Sequence, residues 1–494
     1  MRTFVEKIKK PLILILISII LMILTGIANT LNIANSGPFN LVFFGAIAFA
    51  LLMFLGLLGL IFVFLHDRVF TIKPMSTRIG KIKKLLTNTG IFLMALFISL
   101  TALLGVMLSY YYIRLPPSYS VDPMLQLETW TAIPPGGQIE KHHKSNTDLY
   151  YWNNSFYCIY QNSKWHLQDL DGELVIERSP DASAGSWERI ASIKGPGHND
   201  VRDPLLTEIN GTLFVYFLPN FLFDPEPNTT YYTTSNDMEN WTEPTEVKVN
   251  VSYDENWEME VGWIFGRTEP ITNDNNTWYV TAFGEKNGTW VTLLLETRNG
   301  IDWKEISVVY DTYPSGEPCI EFLPNGEIIS TLRVGAMSSW TGYEFGTPHA
   351  GTIIATSYDN RTKWSHHADF QTRMDGARLF KLVDAENITR IFAAGRNHLG
   401  PGLVGNHLGR KRTTIYEVKE DRLIHVFDLP SNGDTAYTGV AIIGDEVYVS
   451  YYTNPIRRDL PWIVGLAFFS KSEIRMAKFS ATGLINYANT IIGG

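Results

Sequence analysis

The apolar positions fall into two rhythms along this chain. From Pro11 to Ile33, Leu41 to Leu65 and Ile91 to Ile113 they run on with no Asp, Glu, Lys or Arg among them. Each stretch is about 20 residues or more, enough at about 1.5 Å per residue to cross ~30 Å of hydrocarbon. Three transmembrane α-helices are expected, at about 11–33, 41–65 and 91–113. A cleaved signal peptide is the alternative for the first, but its length and the two spans that follow argue against it. A channel or transporter would want charged groups inside its spans, so residues 1–114 read as an anchor.

Past residue 114 the rhythm becomes that of strands. Short runs of Val, Ile, Tyr, Phe and Trp alternate with Asn-Gly, Asp-Gly and Pro signals. One unit recurs: a polar residue, an apolar strand, a turn, a second apolar strand. It opens at Asp148, Asp203, Glu269, Glu317, Arg378 and Tyr437, in steps of 55, 66, 48, 61 and 59 residues. A second motif, Ser/Thr-x-Asp/Asn with a Trp after a short turn, lies out of phase. Its acidic or amide positions are Asp181, Asp237, Asn299 and Asp359, spaced 56, 62 and 60. Two interleaved motifs with one spacing near 60 mean one repeated supersecondary unit, and about four strands at that length make a propeller blade. The fold class expected is all-β, a six-bladed β-propeller over 140–494, joined to the three helices by a linker at 115–139. A five-bladed count, with one copy a coincidence, is the alternative.

Charge follows the same division. Residues 1–114 carry 11 Lys/Arg against 2 Asp/Glu, and the remainder 30 against 48. The connector 67–84 holds Arg68, Lys73, Arg78, Lys81, Lys83 and Lys84, while the connector 34–40 is uncharged. By the positive-inside rule the N-terminus is cytoplasmic, and three crossings leave the larger part outside the cell membrane. That part has nine Asn-x-Ser/Thr sites, at Asn153, Asn210, Asn228, Asn240, Asn250, Asn275, Asn287, Asn360 and Asn387, where its composition predicts roughly four. Its acidity argues against nucleic-acid binding. With Cys158 and Cys319 as the two cysteines, in different repeats, no disulfide is expected, and no spacing suggests a metal or cofactor.

The innermost strand of a propeller blade faces the axis, where ligands collect. The six residues opening the first motif would share that funnel. Four carboxylates, an arginine and a tyrosine are costly to desolvate unless they serve a ligand. Polarity at an exposed strand edge is the plainer alternative. The turns of the second motif read as structural: Asp caps the turn and Trp packs between blades.

On these residues the outer part resembles the sialidase (neuraminidase) superfamily over most of 140–475, and the second motif resembles its Asp-box. Val-Arg202-Asp203-Pro204 is similar to the family's Arg-Ile-Pro segment, so Arg202 implies a grip on a substrate carboxylate. GEPCIEFLPNGEIISTLR resembles the segment that supplies the glutamate partner of the nucleophile, here Glu317. GDTAYTGVAIIGDEVYVSYY resembles the segment with the nucleophilic tyrosine, here Tyr437. Arg410, 27 residues before it, falls where a third arginine is expected, with Arg412 as near alternative. Asp224 has about the spacing of the acid/base aspartate, with Asp148 and Asp203 as further catalytic carboxylates. Arg378 and Glu269 complete the substrate-binding set. The position of the second triad arginine holds Ile353, for which Arg333 would have to substitute.

The resemblance implies a membrane-anchored glycoside hydrolase acting on extracellular glycans. Two alternatives stand beside it: a non-catalytic glycan-binding or adhesion propeller, and a glycosidase for neutral sugars that uses paired carboxylates, whose acid/base set Asp148, Asp203, Glu269 and Glu317 alternatively resemble.

Overall fold

The computed structural model describes residues 119, 121–137, 141–166, 169–197, 200–220, 229–252, 262–334, 351–369, 372–399, 410–457, 459–460, 462–467 and 471–493, with scattered helical positions before residue 100. Contacts between Cα atoms divide the chain into two units, Met1–Arg114 and Leu115–Gly494. Among the described residues no helix is long and apolar enough to cross a membrane. The spans expected at 11–33, 41–65 and 91–113 lie, apart from those scattered positions, outside the described residues.

The second unit is mainly β: six antiparallel sheets follow one another in sequence as the six blades of a propeller. Blade I is β2 (His143–Trp152), β3 (Ser155–Ser163), β4 (Glu173–Ser179) and β5 (Glu188–Ile193); blade II is β6 (Asp200–Ile209), β7 (Thr212–Asn220), β8 (Tyr231–Ser235) and β9 (Thr245–Glu246). Blade III runs from a two-residue inner strand, β11 (Ile264–Phe265), through β12 (Trp278–Lys286) and β13 (Thr289–Thr297) to β14 (Asp302–Tyr310), with β10 (Lys248–Asn250) added parallel outside. Blade IV is β15 (Ser315–Phe322), β16 (Ile328–Val334), β17 (Thr352–Tyr358) and β18 (Lys363–Asp369). Blade V is β19 (Met374–Val383), β20 (Thr389–Leu399), β21 (Arg410–Val418) and β22 (Leu423–Leu429). Blade VI takes β23 (Thr435–Ile443), β24 (Glu446–Thr453) and β25 (Glu473–Ser480) from the end of the chain, and its outer strand, β1 (Glu128–Ile133), from the beginning.

That closure corrects the linker. Part of 115–139 is a strand, and β1 pairs with β25 from Glu128↔Lys478 to Ile133↔Ile474. A short strand outside the repeats gives little sequence signal by itself; here it supplies the fourth, outermost strand of the last sheet and so ties the two ends of the propeller together in one blade. A second element without a repeat signature is helix α2 (Ala481–Gly493), which follows the six-residue α1 (Trp462–Ala467). Its Leu484, Ile485 and Ala488 are buried against Leu125, Phe427 and Val447 of the core.

Successive blades bury apolar faces against each other, with Trp303 and Leu293 of blade III packed on Tyr216 and Leu205 of blade II. The Asp-box turns sit between third and fourth strands, where Asp237 accepts the backbone N–H of Glu239 and Asn240 at 2.9 and 2.8 Å. Asn299 does the same for Ile301 and Asp302, so these side chains are turn caps. Cys158 and Cys319 are both free and buried.

The ring closes tightly where blade VI meets blade I. A Cβ added at Gly439 would lie 2.0 Å from the backbone nitrogen of Leu149 and 2.6 Å from the carbonyl carbon of Asp148. Backbone cannot yield as a side chain does, so Gly439→Ala is expected to destabilise the propeller by about 1–3 kcal/mol. The midpoint of denaturant unfolding measures it; an unchanged midpoint would show the seam to be slack.

Candidate active site

Five inner strands break register with their second strand near the axis. The breaks fall between Ser145 and Asp148, Arg202 and Leu205, Gly316 and Cys319, Asp375 and Arg378, and Ala436 and Gly439. Inside each break one residue takes a left-handed backbone: Asn146 (φ 51°), Asp203 (52°), Glu317 (49°), Gly376 (54°) and Tyr437 (49°). A bulge of this kind interrupts the in-out alternation and re-aims a side chain. Non-glycine residues there cost about 1–3 kcal/mol each, a strain that collects at functional sites.

This register corrects the equivalence drawn from sequence. Asp203, Glu317 and Tyr437 do occupy matching positions. Asp148 and Arg378 come two residues later, and the matching places in their blades belong to Asn146 and Gly376. Asp148 is buried and accepts the backbone N–H of Leu149 at 2.9 Å and of Leu206 at 2.8 Å, stapling blade I to blade II. Burial raises its carboxyl above the ordinary value against the opposing charge of Arg378. Arg378 pairs with Glu269.

At the axis the Tyr437 hydroxyl donates to Oε1 of Glu317. The same oxygen receives Nη1 of Arg333 at 2.5 Å, and Oε2 receives the backbone N–H of Gly376 at 2.5 Å. Gly376 must be small as well as left-handed, since a Cβ there would lie 2.6 Å from the Tyr437 ring. Burial, then the charges of Glu317 and Asp203, pushes the Tyr437 phenol well above its ordinary value. It rests protonated, with a carboxylate in place to take the proton.

Two guanidinium groups flank the tyrosine ring, Arg267 at 4.8 Å and Arg396 at 5.1 Å from its centre. Arg267 follows β11 and lies 3.4 Å from Asp203, whose Oδ1 also accepts Asn146 Nδ2 at 2.9 Å. Arg396 donates to the Thr435 carbonyl at 2.7 Å and to the Tyr452 hydroxyl at 2.9 Å. The arginines expected from spacing sit differently. Arg202 is held by Asp200 and by the His166 carbonyl, each at 2.7 Å. Arg410 and Arg412 are both held by Asp459, at 3.1 and 2.8 Å; the arginine of blade V beside Tyr437 is Arg396, on β20. Ile353 is buried in the apolar core of blade IV, paired with Leu332 and Ala368. Asp224 lies outside the described residues.

A buried polar hub adjoins the pair. Asp375 accepts Arg373 Nε at 2.9 Å and His398 Nε2 at 2.7 Å, and lies 3.9 Å from Arg333. Lys411 meets His398 Nδ1 at 2.5 Å. Against a burial that would raise it, Arg373, His398 and Arg333 hold the Asp375 carboxyl well below its ordinary range. Arg267, Arg396, Asp375 and His398 carry no motif of their own. Their signal was position: each lies at the axial end of a first or second strand, the register the site residues share.

A scan against family models finds no match to the sequence, and a search of curated proteins finds none. Solved structures do match. A protein of unknown function from Dyadobacter fermentans aligns with TM-score 0.51 and 16% identity, over 72% of this chain and 98% of its own. Trypanosoma rangeli sialidase in complex with the inhibitor DANA aligns with TM-score 0.53 and 11% identity over 76% of this chain. The same sialidase as its covalent intermediate with 2,3-difluorosialic acid gives 0.53 and 13%. This chain spans 62% of the length of the DANA-bound sialidase. These likenesses establish the propeller fold.

The hub gives the site a pH signature. Burial, reinforced by Lys411, pushes the His398 imidazole well below its ordinary value of 6.5. Its contacts suit the neutral ring, Nε2–H donating to Asp375 and Nδ1 accepting from Lys411. As pH falls through about 6.5 the unfolded imidazole takes a proton that the folded one refuses, so stability falls with pH by at most about 1.4 kcal/mol per unit. His398→Gln should flatten the fall of the thermal midpoint between pH 7.5 and 5. Equal slopes in the two proteins would show that His398 titrates freely when folded.

Proposed function

We propose that the chain is a membrane-anchored, outward-facing glycoside hydrolase of the sialidase type, removing a terminal anionic sugar with Tyr437 as nucleophile and Glu317 as its base. The observation that carries this is the Tyr437–Glu317 hydrogen bond at the axis, with Arg333 on the glutamate and Arg267 and Arg396 close to the tyrosine ring. A sugar with a carboxylate on its anomeric carbon repels an approaching Asp or Glu. A neutral phenol avoids that repulsion and needs a base only as it attacks. Tyr437 Oη would bond to the anomeric carbon as its proton passes to Glu317 and the bond to the leaving oxygen breaks. Water then hydrolyses the glycosyl-tyrosine, and two displacements retain configuration. The proton for the leaving oxygen falls to Asp224 by the resemblance, with Asp203 as the described carboxylate nearest in register.

The neutral-sugar alternative has less support, because two of its carboxylates are engaged: Asp148 by backbone amides and Glu269 by Arg378. The anchor and the outward orientation rest on the apolar stretches and their basic connectors. The sialidase complexed with DANA lends a fold-level analogy.

The test uses the full-length protein in detergent with a panel of aryl glycosides that includes a sialoside. Cleavage of the sialoside is expected, with Glu317→Gln lowering kcat by about 10²–10⁴-fold in protein that still unfolds cooperatively well above the assay temperature. Tyr437→Phe should lose at least as much. Cleavage of a neutral sugar alone would reject the anionic substrate, and inactivity on every glycoside would favour a binding module.

A further inference from the structure

Three residues that the glycosidase reading does not use come together beside Arg396: His143 at the start of β2, His166 in the β3–β4 connection and Asp434 just ahead of β23. One donor atom from each lies within 4.8 Å of the other two. The carboxylate of Asp434, fully buried, has two unlike oxygens. Oδ1 accepts from the Tyr452 hydroxyl at 2.8 Å and the Trp462 indole at 2.9 Å, with Arg396 at 3.4 Å. Oδ2 takes no hydrogen bond. It faces Nδ1 of His166 at 2.8 Å and Nε2 of His143 at 3.8 Å. A protonated His166 would pair with it directly at that distance; with the ring neutral, the two atoms face each other with no hydrogen bond of good alignment between them.

The tautomer of His143 sharpens this. The Ser472 hydroxyl donates to the Lys144 carbonyl at 2.7 Å and accepts the Lys144 N–H at 2.8 Å. Its one proton is committed, so at its 3.1 Å contact with His143 Nδ1 it accepts, and Nδ1 carries the hydrogen. When the ring is neutral it turns the lone pair of Nε2 towards a carboxylate oxygen. Electron-rich atoms converge in this way when they share a cation. Ligands about 2.0–2.1 Å from a tetrahedral ion lie about 3.3 Å apart, between the two separations found here.

The geometry points to a site for one divalent transition metal of the Zn²⁺ class, held by His143 Nε2, His166 Nδ1 and Asp434 Oδ2 with a fourth position left to water. Two imidazoles and one carboxylate suit such a borderline ion; Ca²⁺ and Mg²⁺ take oxygen sets. The outer partners that orient ligands are present, Ser472 behind His143 and the Tyr452–Trp462 pair behind Asp434. Arg202, through its bond to the His166 carbonyl, fixes the connection that carries the second ligand. Arg396 opposes a cation from the far side of Asp434, but it also lies 4.0 Å from Asp375, which shares its charge. The ion would join blade I to blade VI at the ring's seam, three residues from Tyr437.

The experiment takes full-length protein without a polyhistidine tag, stripped by chelator, and titrates it with Co²⁺ and then Zn²⁺. One equivalent of Co²⁺ should give the intense visible bands of a four-coordinate ion, which one equivalent of Zn²⁺ abolishes. His166→Ala and Asp434→Asn should each weaken binding by at least about tenfold, given that outer-sphere changes alone cost 10–100-fold. His425→Ala, an exposed histidine paired with Asp428, should leave it unchanged. Absence of one-equivalent binding, or only the weak bands of six-coordinate surface Co²⁺, overturns the site. So does binding that survives both ligand substitutions. The wild-type spectrum decides if a variant fails to fold.

Discussion

The extra residue in five of the six inner strands is what the site depends on. A regular strand places every second side chain on the same face, and consecutive polar groups would be divided between neighbouring blades. The left-handed residues Asp203, Glu317 and Tyr437 turn out of that alternation towards the axis. They come from blades far apart in sequence, yet Glu317 and Tyr437 meet in one hydrogen bond across 120 residues. Four non-glycine residues in this conformation represent roughly 1–3 kcal/mol of strain apiece. The hydrogen bonds and blade packing of the whole ring hold them there, and the fifth position shows the limit. Gly376 is glycine because the Tyr437 ring fills the space of a Cβ.

Charge imposes the second constraint. The axial end of the propeller gathers Arg267, Arg333, Arg373, Arg378 and Arg396, buried or nearly so, among Asp148, Asp203, Glu269, Glu317 and Asp375. An unpaired ion at such depth would be worth several kcal/mol of destabilisation, so each guanidinium is set against a carboxylate. Pairing makes the set interdependent. Arg333 links Glu317 to Asp375, Asp375 is held by His398, and Arg396 spans Asp375 and Asp434. Removing one member unpairs another, and single substitutions in such a network are not additive.

Much of the fold was legible because repetition was. Strand, turn and strand recur near every 60 residues, and the count of six sheets follows. The elements with no counterpart in another blade were not legible: β1, which closes the ring from within the supposed linker, and α2, which covers the core of blades V and VI. In the site, Glu317 and Tyr437 stood out since their side chains head a recognisable strand. Asp148 and Arg378 were drawn in by the same pattern although the bulge places Asn146 and Gly376 in register, because a two-residue offset cannot be seen without pairing partners. Arg396 was passed over for Arg410, as distance along the chain does not say which of two strands faces the axis. The surplus of Asn-x-Ser/Thr has a local cause as well. Asn153, Asn210, Asn275, Asn287, Asn360 and Asn387 all have left-handed φ between 46 and 63°, a conformation Asn tolerates at turns.

The acidity of residues 115–494 looks at first like an argument against an anionic substrate, since 48 carboxylates face 30 basic groups there. Distance decides otherwise. At physiological salt the Debye length is about 8 Å, so solvated carboxylates on outer strands and hairpin tips contribute little at the axis. What a bound sugar would meet are the groups within a few ångströms, where solvent no longer screens. There Tyr437 is uncharged, Glu317 is matched by Arg333, and Arg267 and Arg396 stand over the ring. Nε of Arg267 has no acceptor among the described residues. The charge that a ligand at the axis would meet is thus the local balance at the bulges, where guanidinium groups are matched by carboxylates, and not the net charge of the domain.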